Sequence, residues 1–445
     1  MSKQLIYLIV SITTMAIFQN IPIEIFEKIS NYLLLVDLIR IETVSKYFMI
    51  FARSTTWDNF TIDKKICDTK NIMRTHKFTS YTFNEPYSIH DINFYSGSVQ
   101  LKKAYFCSSL TDYENFRLLT ALRKLYLVYS DMTDSYFKSF ANLTSLTLIE
   151  CNLVTDDCMK HCLNLKSLHM HYCEKISGTC FKYFSNLRNL DVAGDYIKPK
   201  NCKHLTNLEK ISIAYYSSEI LRHIENPKKI KSLIIYYCLC QISKELFSSF
   251  SNLCELKLSG SDITDKILVL LTNLHKLELS TCPNINGTCL KSLSKLTNLK
   301  CYNGHTITNE NLMTCTNLRK LVMYTHYERP YYSIKILTQL EKLVLQACSR
   351  TTDEDLKSLN NCRSLSLEWC YCINGSGLKS LTNLQKLSLR NCTKLILENV
   401  LSVPNDCILN IGNCEKMPSC YNRTAESISN MYHSQLKQSP IIIDR

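Results

Sequence analysis

From about Leu101 onward the chain repeats one pattern of apolar positions, Leu-x-x-Leu-x-Leu. It is carried by Leu122-Leu125-Leu127, Leu143-Leu146-Leu148, Leu165-Leu168-Met170, Leu187-Leu190-Val192 and Leu208-Ile211-Ile213. It continues through Ile230-Leu233-Ile235, Leu253-Leu256-Leu258, Leu274-Leu277-Leu279, Leu299, Leu318-Leu321-Met323, Leu340-Leu343-Leu345, Cys362-Leu365-Leu367 and Leu384-Leu387-Leu389. Leu101-Ala104-Phe106 is a degraded first copy and Asp406-Leu409-Ile411 a degraded last one. The period is about 22 residues. Alternate apolar residues predict a short strand with one buried face. The stretches that follow, such as Asp265 to Leu271 and Asp353 to Leu359, predict a short helix that closes the other side. A unit this small buries its apolar face only against its neighbours, so the array must stack into one continuous core.

A period of this length and pattern is that of a leucine-rich-repeat solenoid, an α/β fold in which a curved parallel sheet is backed by outer helices. About 15 repeats are expected over residues 101–420, with 421–445 a loose tail or poor cap. The ninth position of the repeat holds Cys151, Cys173, Cys238, Cys282, Cys348, Cys370, Cys392 and Cys414. Thiols stacked about 4.8 Å apart on parallel strands do not by themselves meet disulfide geometry, so this column is read as structural. Ile176-Ser177-Gly178, Ile263-Thr264-Asp265, Ile285-Asn286-Gly287, Ile307-Thr308-Asn309 and Ile373-Asn374-Gly375 follow it, with small polar residues suited to helix caps. The array resembles the cysteine-containing subclass of leucine-rich repeats, common in F-box proteins.

Residues 15–60 carry another pattern. Ile25, Phe26, Ile29, Tyr32 and Leu33 share one helical face, with Pro22 placed to start the helix and Glu24 at its positive end. Further helices are expected at about Asp37 to Val44 and Ser45 to Ala52. Ile21-Pro22-Ile23-Glu24-Ile25-Phe26, Ile29, Tyr32-Leu33, Asp37-Leu38, Arg40, Val44-Ser45, Phe48, Ala52 and Trp57 together resemble an F-box, a small all-α three-helix module. Phe48 stands where that family often has Trp, and Leu34-Leu35-Val36 fills a loop that is usually polar. The resemblance implies docking on the Skp adaptor of a cullin-RING ubiquitin ligase, with Pro22, Ile25, Leu38, Val44 and Ser45 on the docking surface. A bare helical cap for the solenoid is the plainer alternative. Residues 61–100 form a linker or cap of unassigned fold.

Lys3 and the apolar run from Leu5 to Phe18 have the outline of a signal peptide, whereas Met15 as the start would make 1–14 an extension. The run is too short and broken for a membrane span, and the cytosolic reading, with the nucleus as an alternative, is preferred.

Composition adds little. There are 52 Lys and Arg against 39 Asp and Glu, a net charge of +13. No run of five basic residues accompanies it, which argues against a nucleic-acid tail. Lys124, Lys210, Lys276, Lys320, Lys342 and Lys386 share one repeat position and would line one rim of the sheet, as solvated stems or as contacts to an acidic substrate. The abundance of Asn, Ile, Lys and Tyr is compatible with a large-virus origin.

On the concave face the pattern places His169, His171, Tyr172, Tyr215, Tyr236, Tyr237, Tyr324, Glu368, Trp369 and Arg390, rich in the residue types that anchor interfaces. A protein substrate is therefore expected there. His169 and His171 have no third metal ligand at helpful spacing. No Gly-rich phosphate loop, nucleophile elbow or zinc signature is present, and nothing near Cys420 would activate it, so neither cofactor, metal nor catalysis is expected. The function implied is substrate recognition for a ubiquitin ligase. A free-standing binding protein, a charge-driven nucleic-acid binder and a secreted recognition protein are the competing classes.

Overall fold

The computed structural model describes residues 102–107, 117, 119–215, 217–237, 243–302, 307–324, 334–348, 350–415 and 420–428, and the backbone of four short strands before them. The candidate docking residues Pro22, Ile25, Leu38, Val44 and Ser45 lie outside the described residues, as does the 1–14 extension. Those first strands are β1 (Thr56–Trp57), β2 (Phe60–Ile62), β3 (Lys77–Phe78) and β4 (Ser80–Phe83). Thr56–Trp57 and Phe60–Ile62 lie beyond the last helix expected, at about Ser45 to Ala52.

The chain divides into two compact units, the first ending near Leu208 and the second holding almost everything after it. In the first unit, β2 pairs in parallel with β4 and β4 with β5 (Lys103–Cys107), so the ladder reaches into residues 61–100. It continues in register through β6 (Lys124–Val128), β7 (Ser145–Ile149), β8 (Ser167–His171) and β9 (Asn189–Ala193).

The second unit is a parallel ladder of ten strands: β10 (Lys210–Ala214), β11 (Ser232–Tyr236), β12 (Glu255–Ser259), β13 (Lys276–Ser280), β14 (Asn298–Tyr302), β15 (Lys320–Tyr324), β16 (Lys342–Gln346), β17 (Ser364–Glu368), β18 (Lys386–Arg390) and β19 (Ile408–Gly412). Both units are stacks of leucine-rich repeats.

Every described Leu, Ile, Val or Met of the repeat pattern is buried, including those of the degraded copies, Ala104, Phe106, Leu409 and Ile411. One position departs: Asp406 is exposed and Cys407, one residue later, fills the core in its place. The outer side is thinner than expected. Its segments are one or two turns long, α-helical at Asp156–Met159, Lys244–Ser249, Asp265–Leu268, Asn309–Leu312, Asp353–Leu356 and Leu397–Val400 and 3-10 in other repeats, because 22 residues leave no room for more. Paired apolar residues three apart seal this side; in three repeats they are Phe137 and Phe140, Phe181 and Phe184, and Phe247 and Phe250, each under 2% exposed.

The tail also corrects the expectation. Cys420–Thr424 forms β20, antiparallel to β19, followed by a turn whose Ala425 and Ile428 are buried, so the chain pairs the last open strand edge with its own continuation.

Polar columns tie repeat to repeat. Asn142, Asn164, Asn207, Asn252, Asn273, Asn317, Asn361 and Asn383 each donate a side-chain N–H to a carbonyl 22 to 24 residues earlier. The acidic residues that open the outer turns reach forward instead. Asp156 accepts from the backbone N–H groups of Ser177 and Cys180, Asp265 from those of Asn286 and Cys289, and Asp353 from those of Asn374 and Gly377. Of the small polar residues expected to cap their own helices, Thr308 does, whereas the Thr264 side chain makes no cap and Ser177 donates to Asp156; outside that set Thr155 and Ser243 also cap. Gly377 is needed where Asp353 closes in, since a Cβ there would lie 2.4 Å from the Asp353 carbonyl oxygen.

Replacing Asp353 by Ala removes the acceptor for two N–H groups at once. A loss of about 2–4 kcal/mol is expected, with Asp353→Asn losing less. The denaturation midpoint, followed through Trp369 in the next repeat, is the measurement; an unchanged midpoint for Asp353→Ala would show that water replaces the carboxylate.

Candidate binding face

The side of each ladder away from the core is an open sheet face built from the first, third and fifth residues of the strands. In the second unit its central column reads Ser212, Ile234, Lys257, Glu278, Lys300, Val322, Val344, Ser366, Ser388 and Asn410. The flanking core columns are almost wholly Leu, Ile, Val and Met. Within one chain, the core positions are thus held to one residue class while the open ones vary freely.

Of the residues expected on this face, His171, Tyr236, Tyr324, Glu368 and Arg390 end their strands and belong to it, and His169 lies mid-strand. Tyr172, Tyr215, Tyr237 and Trp369 do not. Each lies one residue past its strand with φ between 48° and 60°. The same left-handed position recurs after every described strand end from β6 to β19, at Tyr129, Glu150, Gly194, Gly260, Thr281, Ala347, Asn391 and Asn413 among others. The cause is geometric. In most repeats the next residue, Cys151, Cys173, Cys282, Cys348, Cys370, Cys392 or Cys414, or else Ser130 or Ser261, turns back into the core after a five-residue strand, and a positive φ achieves that in one step. For an aromatic residue this conformation costs about 1 kcal/mol.

In the second unit two of these aromatics lie side by side at the ends of neighbouring strands. Tyr215 and Tyr237 stack with centroids 5.9 Å apart and planes 18° apart, and Tyr237 is 52% exposed. Gly260 completes the stack, because a Cβ there would lie 2.6 Å from the Tyr237 ring.

Polar clusters on the open face cross strands. On β8 and β9, Asp191 joins both histidines, 3.2 Å from His169 Nδ1 and 3.0 Å from His171 Nε2, while Ser167 Oγ lies 3.0 Å from His169 Nε2. The sequence reading missed Ser167 and Asp191, whose signal is their spacing of nearly one period from each other. The order Ser–His–Asp matches a nucleophile relay, but the Ser167 N–H is spent on the Thr144 carbonyl and lies within the ladder, so it cannot stabilise an oxyanion. Among the described residues no group of three His, Cys, Asp or Glu side chains is arranged to hold a metal ion.

On β12 to β14, Glu278 lies between Lys257 (2.6 Å) and Lys300 (2.8 Å), and Lys257 also covers the Tyr236 ring at 5.4 Å. Tyr302 and Tyr324 pack edge to face at 4.9 Å, and Arg390 is 3.9 Å from Glu368.

The cysteine column is structural. Cys151, Cys173, Cys282, Cys370 and Cys392 donate to strand carbonyls of their own and the preceding repeat, and the described cysteines are free thiols. Burial pushes the thiols of Cys162, Cys202 and Cys370 up to about 12, which removes the thiolate a nucleophile needs. Cys238 lies outside the described residues. Among the described residues no helix is long and apolar enough to cross a membrane.

Glu278 supplies a pH test. Burial pushes its carboxyl up, but the ammonium groups of Lys257 and Lys300 outweigh burial and hold it below the ordinary 4.5. A carboxylate depressed on folding stabilises fully above its unfolded value and loses that contribution as pH falls through the folded value. Glu278→Gln is therefore expected to lower the thermal midpoint near about pH 7, with the gap to the native protein closing below about pH 4. A pH-independent gap would assign the effect to packing.

No family model matches the chain, and no curated protein matches it. Among solved structures it is similar to TLR13 in its complex with ssRNA13, at 18% identity over 82% of this chain and 58% of that one, TM-score 0.48. It is also similar to the functional domain of InlJ from Listeria monocytogenes, which includes a cysteine ladder, at 18% identity over 73% and 76% of the two chains, TM-score 0.45. A third is a chain of the yeast Rad7 and Elc1 complex, at 18% identity over 63% and 83%, TM-score 0.44. At these values none of the three lends its partners to this chain.

Proposed function

We propose that this chain is the target-recognition subunit of an SCF-type (Skp–cullin–F-box) ubiquitin ligase. The open sheet face holds a protein target, and residues 15–60 dock the Skp adaptor. The observation that carries the binding half is the contrast between columns: core positions are fixed while the adjoining open positions vary in charge, size and aromaticity, which is what a recognition surface superimposed on a repeat requires. The docking half rests on the F-box resemblance from Ile21 to Trp57.

In this reading the chain makes no bond itself. The buried, weakly acidic thiols of Cys162, Cys202 and Cys370 fit a receptor that leaves ubiquitin transfer to other subunits. Holding a target near the ubiquitin-carrying enzyme raises the effective concentration of its lysines.

A stand-alone binding scaffold is the second reading. It is favoured by the strands at Thr56–Trp57 and Phe60–Ile62, the latter leading through β4 into the repeat ladder, as the last part of a cap would.

Co-expression with a Skp-type adaptor separates the two. The full chain is expected to co-purify with the adaptor, and Pro22→Ala/Ile25→Ala/Leu38→Ala to weaken the complex at least about 100-fold by losing apolar anchors. Tyr215→Asn/Tyr237→Asn, which keeps residues tolerant of a positive φ, should leave adaptor binding unchanged. A native chain that fails to bind the adaptor would leave the scaffold reading.

A further inference from the structure

The basic residues of the second unit are not uniformly paired. On β12 to β14, Lys276 is matched by Glu255, and Lys257 and Lys300 share Glu278. Beyond them the arginines are still matched, Arg319 by Glu341 and Arg390 by Glu368, but the strand-opening lysines are not. Lys320 and Lys342 face each other across β15 and β16 in register, and Lys386 follows on β18 with Ser364 between them on β17. None of the three lysines has a carboxylate within ion-pair distance among the described residues. Partial burial and the nearby Lys342, Lys300 and Lys276 push the Lys320 ammonium below its ordinary value, as expected where positive charge is in excess.

The rest of these strands defines the shape. On β15 the open face runs Lys320, Val322, Tyr324, and on β16 Lys342, Val344, Gln346. A lysine rim, an aliphatic strip in which Val322 is buried and Val344 half-buried, and a polar rim therefore lie side by side. The lysine rim from β15 to β18 is three strand steps, about 14 Å long. In an extended peptide, side chains on one face recur every 6.6–6.8 Å or so, so acidic residues at positions i, i+2 and i+4 cover about the same length.

We propose that the β15 to β18 region of the open face binds an extended protein segment carrying acidic side chains at alternate positions. Its carboxylates, or phosphoryl groups in their place, meet Lys320, Lys342 and Lys386, and its other side chains rest on the half-buried Val344. A nucleic-acid strand fits less well. Its continuous phosphates would run on to Glu278 and Glu255, the valine floor offers no donors, and Tyr302 and Tyr324 pack on each other instead of presenting open ring faces. This rests on the open face being a binding surface and not on the adaptor, so failure of Skp binding leaves it standing.

The test uses the full chain and three fluorescein-labelled probes: a ten-residue peptide with Glu at alternate positions and Val or Ser between, its Glu-to-Gln counterpart, and an oligothymidylate of similar length. Anisotropy at about 50 mM and about 200 mM salt is the readout. The Glu peptide is expected to bind, to weaken with salt, and to lose about tenfold in affinity with Lys320→Gln/Lys342→Gln. Lys228→Gln/Lys266→Gln, which removes two exposed lysines from the outer turns, should leave the affinity unchanged, and the thermal midpoints of both variants should match the native chain. The proposal is overturned if the Glu peptide does not bind, if the Gln peptide binds equally well, or if both double variants lose affinity alike. Tighter binding of the oligothymidylate, lost in Lys320→Gln/Lys342→Gln, would assign the patch to nucleic acid instead.

Discussion

A turn of 22 residues cannot satisfy its own backbone, and the rest of the structure follows from that. Each repeat has a five-residue strand, a sharp exit, one outer turn and an extended return. Nearly every polar group exposed by this economy finds its partner one period away. Asn252 and Asn273 reach back to carbonyls of the preceding repeat, Asp265 and Asp353 reach forward to N–H groups of the next, and the Cys282 and Cys370 thiols bridge the strand ends. A buried N–H or carbonyl left without a partner costs about as much as a whole hydrogen bond contributes. The repeats therefore stabilise one another or not at all.

The same economy fixes where strain is carried. Leaving the strand in a single residue demands a left-handed backbone, and Asn391, Asn413 and Gly260 meet the demand cheaply. Tyr215, Tyr237 and Trp369 do not. A bulky ring at this point opposes local preference, and part of the cost is recovered by stacking, as between Tyr215 and Tyr237. The exposure of Tyr215 and Tyr237 shows that core packing does not hold them there.

Much of this was legible in the amino-acid sequence, for a physical reason. Burial on alternate residues writes itself into the apolar pattern, so the Leu grid, its period and the inward Cys column could be read directly. What the pattern lacks is backbone conformation and register. Tyr172, Tyr215, Tyr237 and Trp369 follow the apolar positions closely enough to be assigned to the sheet face, yet the left-handed turn that ends each strand carries them past it. Asp406 stands at the expected spacing but is a carboxylate with no partner for burial, and the chain slips one residue so that Cys407 takes the core. Asp191 is remote in sequence from His169 and adjacent in space, so its role emerges only once the strands are aligned. The closing strand at Cys420–Thr424 has no repeat pattern at all; its pairing is dictated by the unsatisfied edge of β19.

Separation of labour between columns is what makes such a scaffold adaptable. The core columns, the Asn and Asp ties and the Cys turn fix the backbone without involving the third residue of any strand. That residue can be Lys257, Glu278, Val322 or Ser388 with the ladder unchanged around it. Charge introduced there meets only its lateral neighbours about 4.8 Å away, which is why Glu278 can neutralise two lysines at once and why Lys320 and Lys342, one strand further on, are left in excess. The local imbalance is therefore a property of the open surface and not a requirement of folding. Two ammonium groups held side by side gain nothing for the ladder itself, so their juxtaposition is best explained by an anionic group supplied from outside.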